Sequence, residues 1–271
     1  MEKLKKIAFI YDFDYTLISG NMQEGKLIEA LGVTKEEYWE VSNKIMKEND
    51  IDGILAAMYT PIVIAKKKGI KFDKKLLEDA GRAITNFFPG VIGWFDRINK
   101  YASNLGLEIE HYIISAGCKE MLDNCSIAKN FTKIFASKYM YNSKGLPIWP
   151  AYLVNYTQKT QYIARIQKNL VDVLYDSKII NRKFDKDNIY INYSDMIYFG
   201  DGETDVPSMR VIRENGGKSI CVYDSSNQKS FDVARRLVED GRVDCAVLAD
   251  YSEDGELDVR IKYFLQKLAE S

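Results

Sequence analysis

The sequence predicts an α/β fold, in which a mostly parallel sheet carries helices on both faces and a helical insertion follows the first strand. Short apolar runs alternate with helical patterns along the 271 residues, which is typical of parallel sheets. Three runs share one form, an apolar strand followed by polar residues or glycine and then a helix-like segment. They are KIAFIYDFD from Lys6, EHYIISAGCKEML from Glu110 and DMIYFGDGETDVPSM from Asp195. Because such sheets bind ligands beyond the carboxyl ends of their strands, the polar ends indicate one shared site.

The remaining core elements follow from shorter patterns. Strands are predicted at 133–137, 218–223 and 245–250, and helices at 91–104, 157–171, 228–239 and 256–269. A turn signal at Asn142–Gly145 lies between two aromatic-rich flanks. We therefore expect a hairpin over 138–152, which either covers the site or forms a dimer contact.

Residues 18–88 differ from the rest because they contain helical patterns only. Apolar faces recur at helical spacing, at Leu27, Ile28 and Leu31, at Val41 and Ile45, and at Ile54, Leu55 and Met58. The segment ends at Pro89-Gly90, which breaks a helix. An insertion of this length predicts a small helical subdomain between the first strand and the rest of the core.

The composition argues against several classes of protein. Lys and Arg number 38 against 39 Asp and Glu, so we expect no binding to nucleic acid. The sequence has no apolar run of the ~20 residues that a membrane span needs. The apolar segment after its charged start is broken at Asp12, so we expect no signal peptide. We therefore expect no membrane association and a cytoplasmic location. The four cysteines lack zinc spacing and predict reduced thiols, and the single His111 predicts a structural or surface role.

Asp12 and Asp14 follow the first predicted strand, where two neighbouring carboxylates raise each other's pKa. Each residue alone could be a turn or cap residue. A calcium loop that begins at Asp12 would need Gly at its sixth position and Glu at its twelfth, but Leu17 and Gln23 stand there. A different cation between the carboxylates remains as the functional explanation for the pair.

The polar ends of the three runs, taken together with one lysine, predict a phosphate site with a magnesium ion. The set contains a carboxylate nucleophile at Asp12, the hydroxyl of Ser115, Lys159 and further carboxylates at Asp201 and Asp205. Ser115 and the N–H groups after it would hold phosphate oxygens at a helix N-terminus, and Lys159 would add positive charge. Taken singly, Ser115 could be a helix N-cap and Lys159 a surface lysine.

The segments DFDYTL, IISAG, QKT and GDGETD resemble the four motifs of the haloacid dehalogenase superfamily, in the same order and context. The helical insertion resembles the cap of the phosphoserine phosphatase type in position and helicity. The resemblance implies a three-layer, Rossmann-like catalytic core formed by residues 1–17 and 89–271, with residues 18–88 as the helical cap.

The same resemblance implies a role for each motif residue. Asp12 would be the nucleophile, and Asp14 the acid that protonates the leaving oxygen and then the base that activates water. Asp14 would bind the metal through its main-chain carbonyl. The implied site comprises catalytic Asp12 and Asp14; phosphate-binding Ser115, Ala116 and Lys159; metal ligands Asp12, Asp14 and Asp201; and supporting Thr16, Gly202 and Asp205.

The implied activity is Mg²⁺-dependent hydrolysis of a small phosphomonoester through an aspartyl-phosphate intermediate. Two alternatives stay open, a phosphotransferase or phosphomutase of the same superfamily and a non-catalytic phosphate-binding scaffold. Phosphoserine phosphatases have a Glu soon after the first motif and an Arg in the cap. Here Asn21 stands nine residues after Asp12, and Arg82, near the end of the insertion, is its only Arg, so the cap does not match theirs. The residues that could line a substrate pocket are Asn21, Gln23, Glu24, Tyr59 and Arg82. A homodimer is also left open.

Overall fold

The computed structural model describes residues 4–174, 176, 178–185 and 188–270. Its strands are β1 (Lys5–Tyr11), β2 (Leu107–Cys118), β3 (Lys133–Tyr141), β4 (Pro147–Tyr152), β5 (Met196–Gly200), β6 (Lys218–Tyr223) and β7 (Cys245–Leu248). They form one sheet in the order β4-β3-β2-β1-β5-β6-β7. Neighbouring strands are parallel except β3 and β4, which are antiparallel. β1 therefore lies at the centre of the sheet, between β2 and β5, the strands of the other two motif-bearing runs.

Helices cover both faces of this sheet. In chain order, the helices of the described residues are α1 (Lys26–Ala30), α2 (Lys35–Asn49), α3 (Gly53–Lys68), α4 (Lys74–Arg82), α5 (Val91–Asn104), α6 (Lys119–Leu122), α7 (Lys159–Gln167), α8 (Val206–Glu214), α9 (Gln228–Glu239) and α10 (Glu256–Glu270). Alternate residues of β1 enter opposite cores, Ile7 and Phe9 on one face and Ala8 and Ile10 on the other. The predicted three-layer α/β fold is confirmed.

Helices α1–α4 lie between β1 and α5 in the chain. Three of them begin at a polar side chain that accepts from the first turn, at Thr34, Asp52 and Asp73. The end of α4 packs so closely on the core that a Cβ at Gly81 would overlap the backbone of Met121. Glycine at this position therefore allows the insertion to lie directly against α6.

The predicted hairpin is present and is formed by β3 and β4. Asn142 fixes its turn, because its side chain accepts from the N–H groups of Lys144 and Leu146. The hairpin contacts the insertion: the hydroxyl of Tyr139 donates to the carbonyl of Met58 in α3. One face of the hairpin thus supports the helices of the insertion.

Several smaller expectations can be compared with the structure. His111 is buried and lies within hydrogen-bond distance of Tyr11 and Asn99, so its role is structural and it is not a surface residue. All four cysteines are buried free thiols. The helix predicted at 157–171 is shorter, since α7 ends at Gln167 and Asn169 takes a left-handed φ of 54°. Within the described ranges, the helices are too short or too polar to cross a membrane.

Candidate active site

Asp12 and Asp14 lie in the turn after β1. Tyr11, the last residue of that strand, pairs with Ile113 of β2 and Phe199 of β5. The N–H of Asp12 donates to the carbonyl of Phe199 at 2.9 Å, which extends the pairing by one residue. The first carboxylate is therefore held at the carboxyl edge of the sheet, where ligands of such folds bind.

The turn itself orients both carboxylates. The N–H of Phe13 donates to Oδ1 of Asp12 at 2.8 Å, and the N–H of Met22 donates to Oδ1 of Asp14 at 2.9 Å. Tyr15, the residue after Asp14, takes a left-handed φ of 57°, which reverses the chain. Burial, together with the nearby charge of Asp12, raises the pKa of Asp14 to about 8. A carboxyl with this pKa keeps its proton at neutral pH.

Lys159 joins the third motif to the first and the fourth. It is the first residue of α7 and is 1% exposed. Its Nζ lies 2.9 Å from Oδ2 of Asp12 and 2.7 Å from Oδ1 of Asp205. Burial alone would lower the pKa of the ammonium, but the two carboxylates outweigh it and raise the pKa well above its ordinary value. The residue predicted either as a phosphate ligand or as a surface lysine is therefore a buried, charged group.

Three carboxylates meet at this point. Asp12, Asp201 and Asp205 each place one oxygen within 4.8 Å of the others. Burial raises the pKa of Asp12 and of Asp201, and the nearby charge of Asp205 raises both further. If all were ionised, the three carboxylates and the one ammonium would carry a net charge of −2. A divalent cation would cancel that charge.

The donor set fits magnesium. All its donors are carboxylate oxygens, which hard divalent cations prefer. Oδ2 of Asp205 is buried and has no hydrogen-bond partner among the described residues, so one acceptor in the cluster remains to be satisfied. The side chain of Asp14 is not part of the cluster, which leaves its main-chain carbonyl as the group that could bind a metal.

Tyr198 was not predicted from the sequence, yet its hydroxyl donates to Oδ1 of Asp205 at 2.7 Å. It lies in β5, two residues before Gly200, where a Cβ would overlap the carboxylate of Asp205. The glycine before Asp201 thus leaves room for the Asp205 side chain against the end of the strand. Gly202 follows and precedes a one-turn 3₁₀ helix at Glu203–Asp205.

Ser115 lies in β2 and is 1% exposed, and its Oγ accepts from the N–H of Gly117 at 3.0 Å. The predicted helix after Ser115 is present as α6, but Ser115 is not its N-cap and the N–H groups directly after the serine do not lie at its N-terminus. β2 continues to Cys118 through a bulge, with Ser115 beside Ala136 of β3, and the four-residue α6 begins only at Lys119. The N–H groups after Ser115, including that of the partly exposed Ala116, therefore belong to an irregular strand end.

Thr16 is hydrogen-bonded to a residue near the other end of the sequence. The hydroxyl of Tyr251 donates to the Thr16 carbonyl at 2.9 Å. The Oγ1 of Thr16 is buried and lacks a hydrogen-bond partner in the described part of the chain. Tyr251 in turn donates its N–H to the carbonyl of Pro89 at 2.8 Å. The turn that carries Asp14 is therefore fixed from outside its own segment.

Two of the pocket residues suggested for the insertion are engaged within the protein. Glu24 accepts from the indole N–H of Trp39 at 2.8 Å and pairs with Lys35 at 2.6 Å. Arg82 donates to Asn124 at 2.8 Å. Glu24 therefore links residues within the insertion, whereas Arg82 connects the insertion to the core.

The structure brings together four sequence-distant segments at one edge of the sheet, and comparisons with solved structures define the class of fold. The chain has the fold of haloacid dehalogenase (HAD) family hydrolases. With such a hydrolase from Salmonella enterica serovar Typhi, the TM-score is 0.60 at 16% identity, covering 98% of this chain and 73% of that one. The predicted resemblance is thereby confirmed for the fold.

Phosphoserine phosphatases have the same fold. One such enzyme, in the form of a phospho-aspartyl intermediate analogue, gives a TM-score of 0.54 at 18% identity and covers 96% of this chain and 99% of that one. A probable phosphoserine phosphatase from Vibrio cholerae gives 0.58 at 12% identity, covering 99% of this chain and 68% of that one.

One curated relative extends over nearly the whole length of the chain. An uncharacterised protein from Borreliella burgdorferi is 27% identical over 284 residues, which is 94% of this chain and 95% of that protein. No protein-family model matches the sequence.

Proposed function

We propose that the protein is a magnesium-dependent phosphatase that hydrolyses a small phosphomonoester through an aspartyl-phosphate intermediate on Asp12. The observation that carries the proposal is the position of Lys159, whose buried ammonium bridges Asp12 and Asp205 beside Asp201. This arrangement offers a carboxylate nucleophile beside one buried ammonium, and a bound Mg²⁺ would supply the further positive charge that a phosphate dianion needs.

In the first step, a carboxylate oxygen of Asp12 attacks phosphorus and the bond to the ester oxygen breaks. Asp14 gives its proton to that oxygen, and the alcohol leaves. The phosphoryl oxygens are held by the hydroxyl of Ser115, the N–H of Ala116 and the ammonium of Lys159. In the second step, Asp14 takes a proton from water, whose oxygen attacks phosphorus and frees Asp12 and inorganic phosphate.

The metal-binding groups in this proposal are the carboxylates of Asp12 and Asp201 and the main-chain carbonyl of Asp14. When bound, the ion supplies charge neutralisation for the acids and the phosphate. Asp205 orients Lys159, and Thr16 and Gly202 shape the two turns that hold the ligands.

We further propose that residues 18–88 act as the cap and residues 1–17 and 89–271 as the catalytic core. Helices α1–α4 supply the cap, which covers a core site where Asp12, Ser115 and Lys159 are all buried. The fold likeness to phosphoserine phosphatases supports a small phosphomonoester substrate. A cytoplasmic location and a homodimer stay predictions.

Hydrolysis of p-nitrophenyl phosphate with and without Mg²⁺ tests the proposal. Wild-type protein is expected to turn over only with the metal, and Asp12→Asn is expected to be folded and inactive because it lacks the nucleophile. Asp240→Asn, a change at an exposed carboxylate, is the matched control and should behave as wild type. Full activity in Asp12→Asn would falsify the mechanism. Folded wild-type protein that binds phosphate without turnover would instead favour the scaffold.

A further inference from the structure

Met22 contacts the site twice, although it belongs to none of the four motifs. It begins a one-turn 3₁₀ helix, Met22–Glu24, at the start of the helical insertion, and it is 3% exposed. Its main-chain N–H donates to Oδ1 of Asp14 at 2.9 Å. Its side chain lies against Gly117, in the irregular end of β2 that follows Ser115.

The first contact selects the oxygen of Asp14 that can carry a proton. A carboxyl oxygen that accepts an N–H bond is the disfavoured place for a proton, because two hydrogens would then face each other. The proton of Asp14 is therefore directed to Oδ2. An acid needs its proton on the oxygen that faces the leaving group, so this one hydrogen bond can decide whether Asp14 is correctly oriented.

The second contact covers the end of β2 at Ser115–Gly117, where the phosphate is proposed to bind. A Cβ at Gly117 would lie 2.7 Å from Sδ of Met22 and 3.2 Å from Oγ of Ser115. The thioether thus fills the space beside the Ser115 hydroxyl and leaves room for no side chain at position 117. An apolar group there excludes water from the Ser115 hydroxyl, which is proposed to hold the phosphate.

We infer that Met22 is a positioning residue. Its N–H orients the Asp14 carboxyl, and its side chain covers the end of β2 at Ser115–Gly117. The inference rests on the proposed phosphatase function. Since Met22 lies near the start of the insertion, displacement of this segment would break the hydrogen bond to Asp14 and expose the end of β2 at Ser115–Gly117 together.

The two contacts can be separated by mutation. Met22→Ala removes the side chain and keeps the N–H, whereas Met22→Pro removes both. Proline is compatible with the first position of a helix, and Asn21 before it is already extended, with φ −93° and ψ 133°. Met22→Leu keeps both contacts and serves as the conservative control.

The measurement is kcat/KM for phenyl phosphate and p-nitrophenyl phosphate, two substrates of similar shape. Phenolate is the poorer leaving group and needs the acid more. Relative to Met22→Ala, we expect Met22→Pro to hydrolyse phenyl phosphate about tenfold more slowly and p-nitrophenyl phosphate at a nearly unchanged rate. In an Asp14→Asn background, the proline should have no further effect on either substrate.

A second pair of variants addresses the side chain and does not depend on whether the proline variant folds. Gly117→Ala is expected to lower turnover, because its Cβ would overlap the Met22 thioether, and adding Met22→Ala should restore most of it. A double variant as slow as Gly117→Ala, or a folded Met22→Pro that matches Met22→Ala on both substrates, overturns the inference alone. A wild-type protein that hydrolyses neither substrate overturns the proposed function as well.

Discussion

The ammonium nitrogen of Lys159 lies 2.9 Å from Oδ2 of Asp12, although strands β2, β3 and β4 lie between the two residues in the sequence. Both side chains are buried, so neither charge is satisfied by bulk water. The contact therefore makes the stability of the fold and the reactivity of the nucleophile depend on the same pair.

Replacing Lys159 with Met is expected to damage both properties. It leaves buried carboxylates without their cation, which should lower the free energy of unfolding of metal-free protein by about 3 kcal/mol. It should also lower kcat/KM for p-nitrophenyl phosphate by about 100-fold or more, since a phosphate-stabilising charge is lost. Urea unfolding in EDTA and steady-state kinetics measure the two effects. Lys229→Met, at an exposed lysine, should change neither, and unaltered activity in Lys159→Met would contradict the assigned role.

Magnesium should stabilise the folded protein even when no substrate is present. At 100 times its Kd, the ion would add about 2.7 kcal/mol to the free energy of unfolding, which corresponds to roughly 5–10 °C in Tm. Asp201→Asn removes a proposed ligand and should abolish this shift, whereas Asp240→Asn should retain it. Thermal unfolding with EDTA and with added Mg²⁺ provides the comparison. An equal shift in both variants would exclude Asp201 as a ligand.

Tyr198→Phe tests whether the hydroxyl that donates to Asp205 supports the metal cluster. We expect a loss of about 1–2 kcal/mol in the free energy of unfolding, with a smaller Mg²⁺-induced Tm shift and weaker activity. Tyr11→Phe is a matched control, because that buried hydroxyl accepts from Trp94 and does not contact the carboxylates. It should lower stability while leaving the response to Mg²⁺ intact. Identical behaviour of the two variants would argue that Tyr198 is merely structural.

The stability of the metal-free protein should depend on pH through Asp14. Its pKa is raised to about 8 in the folded state, so between the ordinary pKa near 4 and pH 8 only the folded chain keeps the proton. The contribution of Asp14 to folding stability is therefore lost as the pH rises, by at most about 1.4 kcal/mol per pH unit. Relative to Asp14→Asn, wild-type protein in EDTA should become progressively less stable from pH 5 to pH 8. A difference that stays constant over this range would show that Asp14 does not titrate as described.

The sequence was most informative where function depends on local order along one strand. Asp12 and Asp14 were predicted to follow an apolar strand, and they follow β1, which lies at the centre of the sheet. Helices 91–104 and 228–239 were predicted with the bounds that the structure shows, because each has a marked apolar face and a clear breaker or cap. Local spacing also indicated the hairpin turn at Asn142.

Contacts between distant segments were beyond such reasoning. The hydroxyl of Tyr198 reaches Asp205 only because β5 ends in a glycine that lets the acid fold back. Met22 reaches Gly117 across a helical insertion, and no pattern in either segment points to the other. The helix predicted after Ser115 begins only at Lys119 for a similar reason, since pairing with β3 extends β2 past the serine.

The hydrogen bond from Tyr251 to the carbonyl of Thr16 joins positions that are 235 residues apart. During synthesis, the turn with Asp14 emerges first and its tie emerges after every motif segment has already been made. A nascent chain that has reached residue 240 thus contains all the proposed catalytic residues but lacks this hydrogen bond. This hydrogen bond can form only once Tyr251, three residues beyond β7, has been synthesised.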